Sequence, residues 1–387
     1  METYKLMHRD TLCGVVTLDE DSGHLLEYKN LSQNAPFLGN ADTRLMKKWW
    51  EARAIPASRT AMQEVIRQAG CVSNIDYLAK NLALSMTDTY WICPIELGLN
   101  WSDVNLHNLS FYPDGKMPYH NDTSYDPNAS LGGQMDKYWD LNTCPPILVK
   151  TAYREYGQQA INEAFACMLH EMQGTDFPYV RYSLRPGIDN GLQAVCDTFT
   201  TEQRELVPAL EILDSQKIPN DLSLYDAFIK ISAANGIDEG YIRDYMDYLT
   251  MTDFIISNTD EHLLNYGIIR SSSTLAFIEP APIFDSGNSM FFDVHMPHAL
   301  TRAELLARKI TAIHSTEEAM LKHITNRSLV RADLLPSPGD VFEFYSSRGI
   351  PEQKASFIAE SYHNKLSLFQ DFQHGKTISL YTEKRGH

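Results

Sequence analysis

The sequence has no Cys-x-x-Cys pair: its 6 cysteines, Cys13, Cys71, Cys93, Cys144, Cys167 and Cys196, stand far apart. That spacing argues against a structural zinc site or a redox dithiol. Cysteines among apolar neighbours, such as Cys167 between Ala166 and Met168, behave as small core residues. No charged-then-apolar leader opens the sequence, and it holds no apolar run of 18 residues, the length of a membrane span. The expectation is a soluble, cytoplasmic protein with no membrane partner. Positive charge is also short. Lys and Arg number 33 against 50 Asp and Glu, a net charge of −17, which disfavours broad contact with phosphate backbones. Direct nucleic-acid binding is therefore not expected. Repeats and low-complexity tracts are missing, as are a G-x-x-x-x-G-K-[ST] loop and a complete G-x-G-x-x-G.

What remains is ordinary globular composition, 43% hydrophobic and 21% charged over 387 residues. It excludes collagen-like, disordered and disulfide-scaffold classes, and at about 150 residues per domain it implies two or three packed units. Tyr4 to Met7 and Cys13 to Leu18 read as strands around His8-Arg9-Asp10, with a second turn at 19–23. A helical pattern follows from Asn40 to about Ala83, in which Ser58 is a candidate cap for a helix carrying Met62, Val65 and Ile66. Tyr90, Trp91, Trp101, Phe111 and Tyr112 read as a packed aromatic core. The polar stretch 112–130 is the best linker candidate. Beyond it come a strand ending at Lys150, a helix from Ala160 to Gln173 closed by Gly174, and strands at Tyr179 to Leu184 and Gln193 to Phe199. From Leu206 the pattern is mostly helical, broken by an apolar hairpin near 266–278.

The informative segment runs from Asp253 to Asn265. Ile242, Tyr245, Met246 and Leu249 sit at helical spacing, so a buried helix delivers the chain into Asn258-Thr259-Asp260. After the hairpin comes Pro282-Ile283-Phe284-Asp285-Ser286-Gly287. Phosphoryl transfer of the protein-kinase kind needs an aspartate to accept the substrate hydroxyl's proton. It needs an asparagine five residues on for one Mg²⁺, and a second aspartate for the metals bridging the phosphates. Asp260, Asn265 and Asp285 supply these in order, with the hard oxygen ligands that Mg²⁺ takes. Singly, each is as readily a turn or helix cap; together, with hairpin and apolar flanks, they read as a site.

Upstream, Ser130-Leu131-Gly132-Gly133-Gln134-Met135-Asp136-Lys137 holds a glycine turn whose bare N–H groups suit phosphates, although a Gly-Gly pair alone is more often only a turn. Lys150 ends a strand thirteen residues after Lys137, within reach of α- and β-phosphates. Glu163 is its natural helix partner, but the wheel is equivocal. Ile161, Phe165, Met168 and Met172 form one apolar stripe, and Glu163 lies opposite, facing either the cleft or water.

These segments together resemble the HipA family of bacterial serine/threonine kinases. The resemblance rests on Ser130 to Lys137, Ile147 to Lys150, Asn162-Glu163, Asn258 to Asn265 and Phe284 to Gly287. Its most specific part is D-x-H-x-x-N followed by a hairpin and an F-D-x-G-like acid. It implies an α+β, two-lobed kinase fold with an N-terminal accessory α/β domain: 1–112 accessory, 113–205 N-lobe with Gln193 to Phe199 as hinge, and 206–387 a mostly helical C-lobe. It implies ATP and Mg²⁺ as cofactors, Asp260 as catalytic base, and Asn265 and Asp285 on the metal. The nucleotide set is Ser130, Gly132, Gly133, Lys137, Lys150, Glu163 and His262. In some members the residue matching Ser130 is autophosphorylated, which ejects the glycine loop and stops the enzyme. It further implies a protein serine or threonine substrate and a small DNA-binding antitoxin as partner. Two features depart from the kinase pattern: Thr259 stands where an arginine precedes the catalytic aspartate, and the metal motif reads Asp-Ser-Gly. A catalytically silent ATP-binding module and a small-molecule phosphotransferase remain the alternatives.

Overall fold

The computed structural model describes residues 1–57, 59–107, 125–133, 135–187, 191–295 and 298–385. Ser58, Phe111, Tyr112 and most of the expected linker 112–130 lie outside the described residues. The chain opens with β1 (Glu2–His8), β2 (Thr11–Leu18) and β3 (Leu25–Asn30), then α1 (Thr43–Arg53), α2 (Thr60–Gln68), α3 (Asn74–Lys80), β4 (Tyr90–Pro94) and the single turn α4 (Trp101–Val104). There follow β5 (Asp136–Asp140), β6 (Ile147–Ala152), α5 (Gln158–Gln173), β7 (Ser183–Pro186), β8 (Leu192–Asp197), β9 (Arg204–Pro208) and α6 (Ala209–Asp214). The remainder is α7 (Leu224–Ala234), α8 (Glu239–Ile256), β10 (Gly267–Ser271), β11 (Phe277–Pro280), α9 (Arg302–Ala307), α10 (Glu317–Met320), α11 (Pro338–Ser346), α12 (Glu352–Gln373) and α13 (Leu380–Arg385).

Compactness divides the described chain into two units, Met1–Lys150 with Asp197–Pro219 and Ile268–Glu279, and Thr151–Cys196 with Asn220–Gly267 and Pro280–His387. This cut differs in kind from the functional division at 112 and 205, which stays a proposal.

In the first unit β1 to β4 form an antiparallel sheet in the order β3-β2-β1-β4. Alternation along β2 buries Gly14, Val16 and Leu18, and Cys13 is buried where the register with β1 shifts. Asp42 caps α1 by accepting from the Leu45 amide at 2.7 Å, and the helix buries Leu45, Met46, Trp49 and Trp50, as its spacing demands. Tyr90, Trp91 and Trp101 join the same core, the role their density implies. Helix α2 begins at Thr60 with Arg59 in the capping position.

The sequence reading places no strand at β3, β4 or β5, and it also misses β9, next to β10 in the order β11-β10-β9. The reason for β9 is electrostatic. Glu205 of β9 is fully buried, and its carboxylate accepts from Arg270 Nε of β10 at 2.6 Å, from the Thr89 amide at 3.1 Å and from the Thr89 hydroxyl at 2.9 Å, with His8 Nε2 at 2.9 Å. Arg270 Nη2 also donates to the Tyr90 hydroxyl at 2.8 Å. Four stretches distant in sequence are thereby joined. A strand whose partners are so remote carries no local signal.

In the second unit α8 is buried along most of its length. Phe165 of α5 packs on Phe344 and Tyr345 of α11 and Tyr362 of α12, ring centroids 5.3, 5.5 and 6.3 Å away. The sequence places a strand at Tyr179 to Leu184. Here β7 starts only at Ser183 and pairs antiparallel with β8, while Tyr179 bridges Ile283 in parallel. The Val180 amide donates to Ile283 O at 2.9 Å and the Ile283 amide to Pro178 O at 2.9 Å, so this backbone is committed to the approach to Asp285.

Burial acts to raise the Glu205 pKa, and Arg270 and His8 overturn that effect and hold it well below the ordinary carboxylate value. Arg270→Met should therefore cost about 3–5 kcal/mol in urea unfolding at neutral pH, because it strands a buried charge. A group depressed in the folded state stabilises above its unfolded pKa and loses that contribution as pH falls. The deficit should accordingly shrink below about pH 4. A deficit independent of pH would remove Glu205 as its source.

Candidate active site

Helix α8 ends at Ser257, which takes a left-handed conformation with φ 54°. Its hydroxyl donates to the buried Glu317, which also meets the buried Lys365 ammonium. This fixes the direction in which the chain leaves the helix. Asn258 then turns back, its amide donating to Asp253 Oδ1 at 3.0 Å and to Glu261 Oε2 at 3.2 Å. The Asp260 carbonyl accepts from the His262 amide at 2.9 Å and from Asn265 Nδ2 at 2.7 Å. The expected base and the expected metal asparagine are thus locked into one loop. With its Nδ2 so used, Asn265 keeps Oδ1 as an acceptor that takes no hydrogen bond among the described residues. His262 Nδ1 accepts from the Leu264 amide at 3.3 Å, an interaction internal to this loop.

Asp285 has φ 64°, a left-handed conformation that costs a residue with a Cβ roughly 1–3 kcal/mol and that aspartate tolerates better than most. Its surroundings impose it. The Ser286 amide donates to Glu163 Oε2 at 2.9 Å. Asn162 Nδ2 donates to Gly287 O at 2.8 Å and Ser289 O at 2.7 Å, while its Oδ1 accepts from the Tyr345 hydroxyl at 2.8 Å. Gln159 Nε2 reaches Asn288 Oδ1 at 2.7 Å, and Gln158 Nε2 reaches Met290 O at 3.0 Å. A Cβ on Gly287 would come within 3.3 Å of Gln159 O, so glycine permits the close approach.

This decides the alternative that the wheel left open for α5. Glu163 does not face water: it is 1% exposed and aimed at the 285–287 turn, whereas Met172 at the end of the apolar stripe is 40% exposed. Polar side chains wound at helical spacing on the other side of α5 are buried as well as Ile161 and Phe165, because backbone groups of a tight turn await them.

The two loops are joined directly. Asn288 Nδ2 donates to Asp260 Oδ2 at 2.7 Å, and both the amide and hydroxyl of Thr259 donate to Asn288 O at 3.2 Å. Thr259, standing where an arginine was wanting, serves as a backbone clasp. Sequence reasoning did not single out Asn288 as part of this site; a polar residue three places after Asp285 was the available signal. Negative charge accumulates here as well. Burial, then Asp253, Asp285 and Asp260 in that order, push the Glu261 carboxyl well above its usual range. Burial pushes Asp253 up to about 7, against its hydrogen bond from Asn258. The partly buried carboxylates of Asp260 and Asp285 and the Asn265 amide oxygen are the donor types a hard divalent cation takes.

In the first unit Ser130 ends a short 3₁₀ turn, Pro127–Ser130, and its hydroxyl has no hydrogen-bond partner among the described residues. Gly133 has φ +86°, and a Cβ there would meet the Lys137 ammonium at 2.6 Å. The Gly132 and Gly133 amides donate to nothing among the described residues. The Lys137 ammonium thus lies against the glycine turn. Lys150, on β6, is 1% exposed. Gln134 lies outside the described residues.

No family model matches the chain. Over 140 residues, 35% of its length, it is 26% identical to the serine/threonine-protein kinase CtkA of Helicobacter pylori, of which it covers 42%. The solved structure of a Helicobacter pylori proinflammatory kinase CtkA aligns at 18% identity over 65% of this chain and 93% of that one, with a TM-score of 0.45. A chain of the Shewanella oneidensis MR-1 toxin–antitoxin complex of HipA, HipB and operator DNA aligns over 97% of this chain and 98% of its own, at 14% identity and a TM-score of 0.56. The architecture expected from the motifs is therefore the one found: the chain has the fold of a HipA-like kinase.

Proposed function

We propose that the chain transfers the γ-phosphoryl group of ATP to a serine or threonine hydroxyl of a protein. The observation that carries this reading is the hydrogen bond from Asn288 to Asp260 Oδ2. It fixes one carboxylate oxygen and leaves Oδ1, which accepts nothing among the described residues, for an incoming hydroxyl. The hydroxyl oxygen attacks the γ-phosphorus as the bond to the β-phosphate oxygen breaks, and the proton passes to Asp260. Asn265 Oδ1 and Asp285 would hold Mg²⁺, which when bound supplies positive charge against the phosphates. Lys150 and the Gly132-Gly133 turn, with Lys137, would bind the phosphates; Gln193 to Phe199 would meet adenine. Catalysis of this kind is mainly positioning and charge stabilisation. A small DNA-binding antitoxin is proposed as partner, supported by the likeness to a chain from a HipA–HipB–DNA complex.

Asp260→Asn should fold and bind MgATP as the wild type does, yet turn over about 10²–10⁴-fold more slowly. Asp285→Ala should instead lose metal-dependent ATP binding. Calorimetry with and without Mg²⁺, set beside radiolabelled transfer, separates the two; near-normal transfer by Asp260→Asn would end the assignment.

Ser130 is proposed as a self-modified residue, since its hydroxyl is uncommitted and a phosphate there adds about 1.5–2 negative charges beside the site of ATP phosphates. Ser130→Asp should bind ATP poorly, and Ser130→Ala should stay active. Peptide mass spectra after incubation with MgATP that show Ser130 unmodified would exclude the switch. Expression from the native operon should bring a small protein through purification with the chain; a chain that purifies alone counts against the antitoxin.

A further inference from the structure

Arg59, at the start of α2, is only 3% exposed and spends its guanidinium on the glycine turn. Nε donates to Gly133 O at 2.9 Å, and Nη2 donates to Gly132 O at 2.6 Å and Gly133 O at 2.7 Å. Across a planar trans peptide the carbonyl and the following N–H point in opposite directions. A guanidinium holding Gly132 O therefore turns the Gly133 N–H to the other side. That N–H, and the Gly132 N–H before it, are the ones without acceptors among the described residues. With Gly133 left-handed at φ +86°, successive donors of this kind make an anion-binding concavity. The Lys137 ammonium lies against Gly133.

The support behind Arg59 is rigid. The Ile55 amide donates to Ala129 O at 3.0 Å, and Asn74 Nδ2 donates to Ile55 O at 2.8 Å. The Tyr77 hydroxyl donates to Asp126 Oδ2 at 2.6 Å. Ile55, Tyr77 and Ala129 form a small buried cluster with Val65, Ile66 and Cys71 packed on it. The turn is thus anchored just before Ser130 and gripped again at Gly132 and Gly133, both times by residues of 1–112.

We propose that Arg59 is a positioning residue for the phosphate-binding turn, so that the accessory region sets nucleotide affinity by aiming the Gly133 N–H at an anion. This rests on the kinase reading above. A guanidinium suits the task because its planar fork grips two carbonyls at once, which an ammonium does not.

The test uses the full chain and its Arg59→Ala and Arg59→Lys variants, with thermal unfolding to establish that each is folded. MgATP affinity is measured by calorimetry, and kcat and KM for ATP by turnover. KM and Kd should rise by about ten-fold or more while kcat stays within about two-fold, since Asp260 and its loop are untouched. Arg59→Lys should share the defect, and added methylguanidinium should restore affinity to Arg59→Ala. If Arg59→Ala fails to fold, Arg59→Lys, which keeps stem and charge, decides the question alone. Variants that bind MgATP like the wild type overturn the role of Arg59 and leave the kinase reading standing, as does a fall in kcat at unchanged KM. A wild-type chain that binds no MgATP overturns both.

Discussion

The hydrogen bonds from one side of α5 to residues 286–290 are the constraint on which the second unit's proposed chemistry depends. Gln158, Gln159, Asn162 and Glu163 each reach that stretch, and Gln158, Asn162 and Glu163 are buried. A buried polar side chain without a partner costs roughly 1–3 kcal/mol, so the helix and the turn have few conformations in common. One of them holds Asp285 at φ 64°, which no local preference would select. The turn so held then presents Asn288 to Asp260. A helix chosen by its packing on α11 and α12 thereby determines the geometry of two loops remote in sequence.

The first unit is organised by a different solution to the same problem. Glu205 is buried with a cation, an imidazole, a hydroxyl and a backbone amide around it, and the network unites β1, the approach to β4, β9 and β10. Removing a single member leaves others unsatisfied, which is why buried networks specify one arrangement. Arg59 does for the glycine turn what Asn162 does for the 285–289 turn. In both, side-chain donors occupy backbone carbonyls, and the conformation that results turns other groups toward the proposed chemistry.

Carboxyl crowding separates structural from chemical acids. Glu261 and Asp253 share the Asn258 amide, are buried, and have raised pKa values. Asp260 and Asp285, half-exposed, add to the repulsion felt at Glu261.

The sequence by itself shows the order of the proposed site. Asp260, five residues to Asn265, a hairpin, then Asp285 is a local pattern, because catalytic loop and turns are built from neighbouring residues. The helix that ends at Ser257 and the helix closed by Gly174 were legible for the same reason: apolar spacing and a left-handed cap act within a few residues. The beginning of β7, the existence of β9, the orientation of Glu163 and the roles of Asn288 and Arg59 were decided only by tertiary structure. Each depends on a partner far along the chain, 65 residues separating Arg270 from Glu205 and 123 separating Ser286 from Glu163. A helical wheel distinguishes an apolar from a polar side, but it does not distinguish water from a tight backbone turn as the surroundings of the polar one. Burial makes that distinction, and burial is a property of the assembled fold.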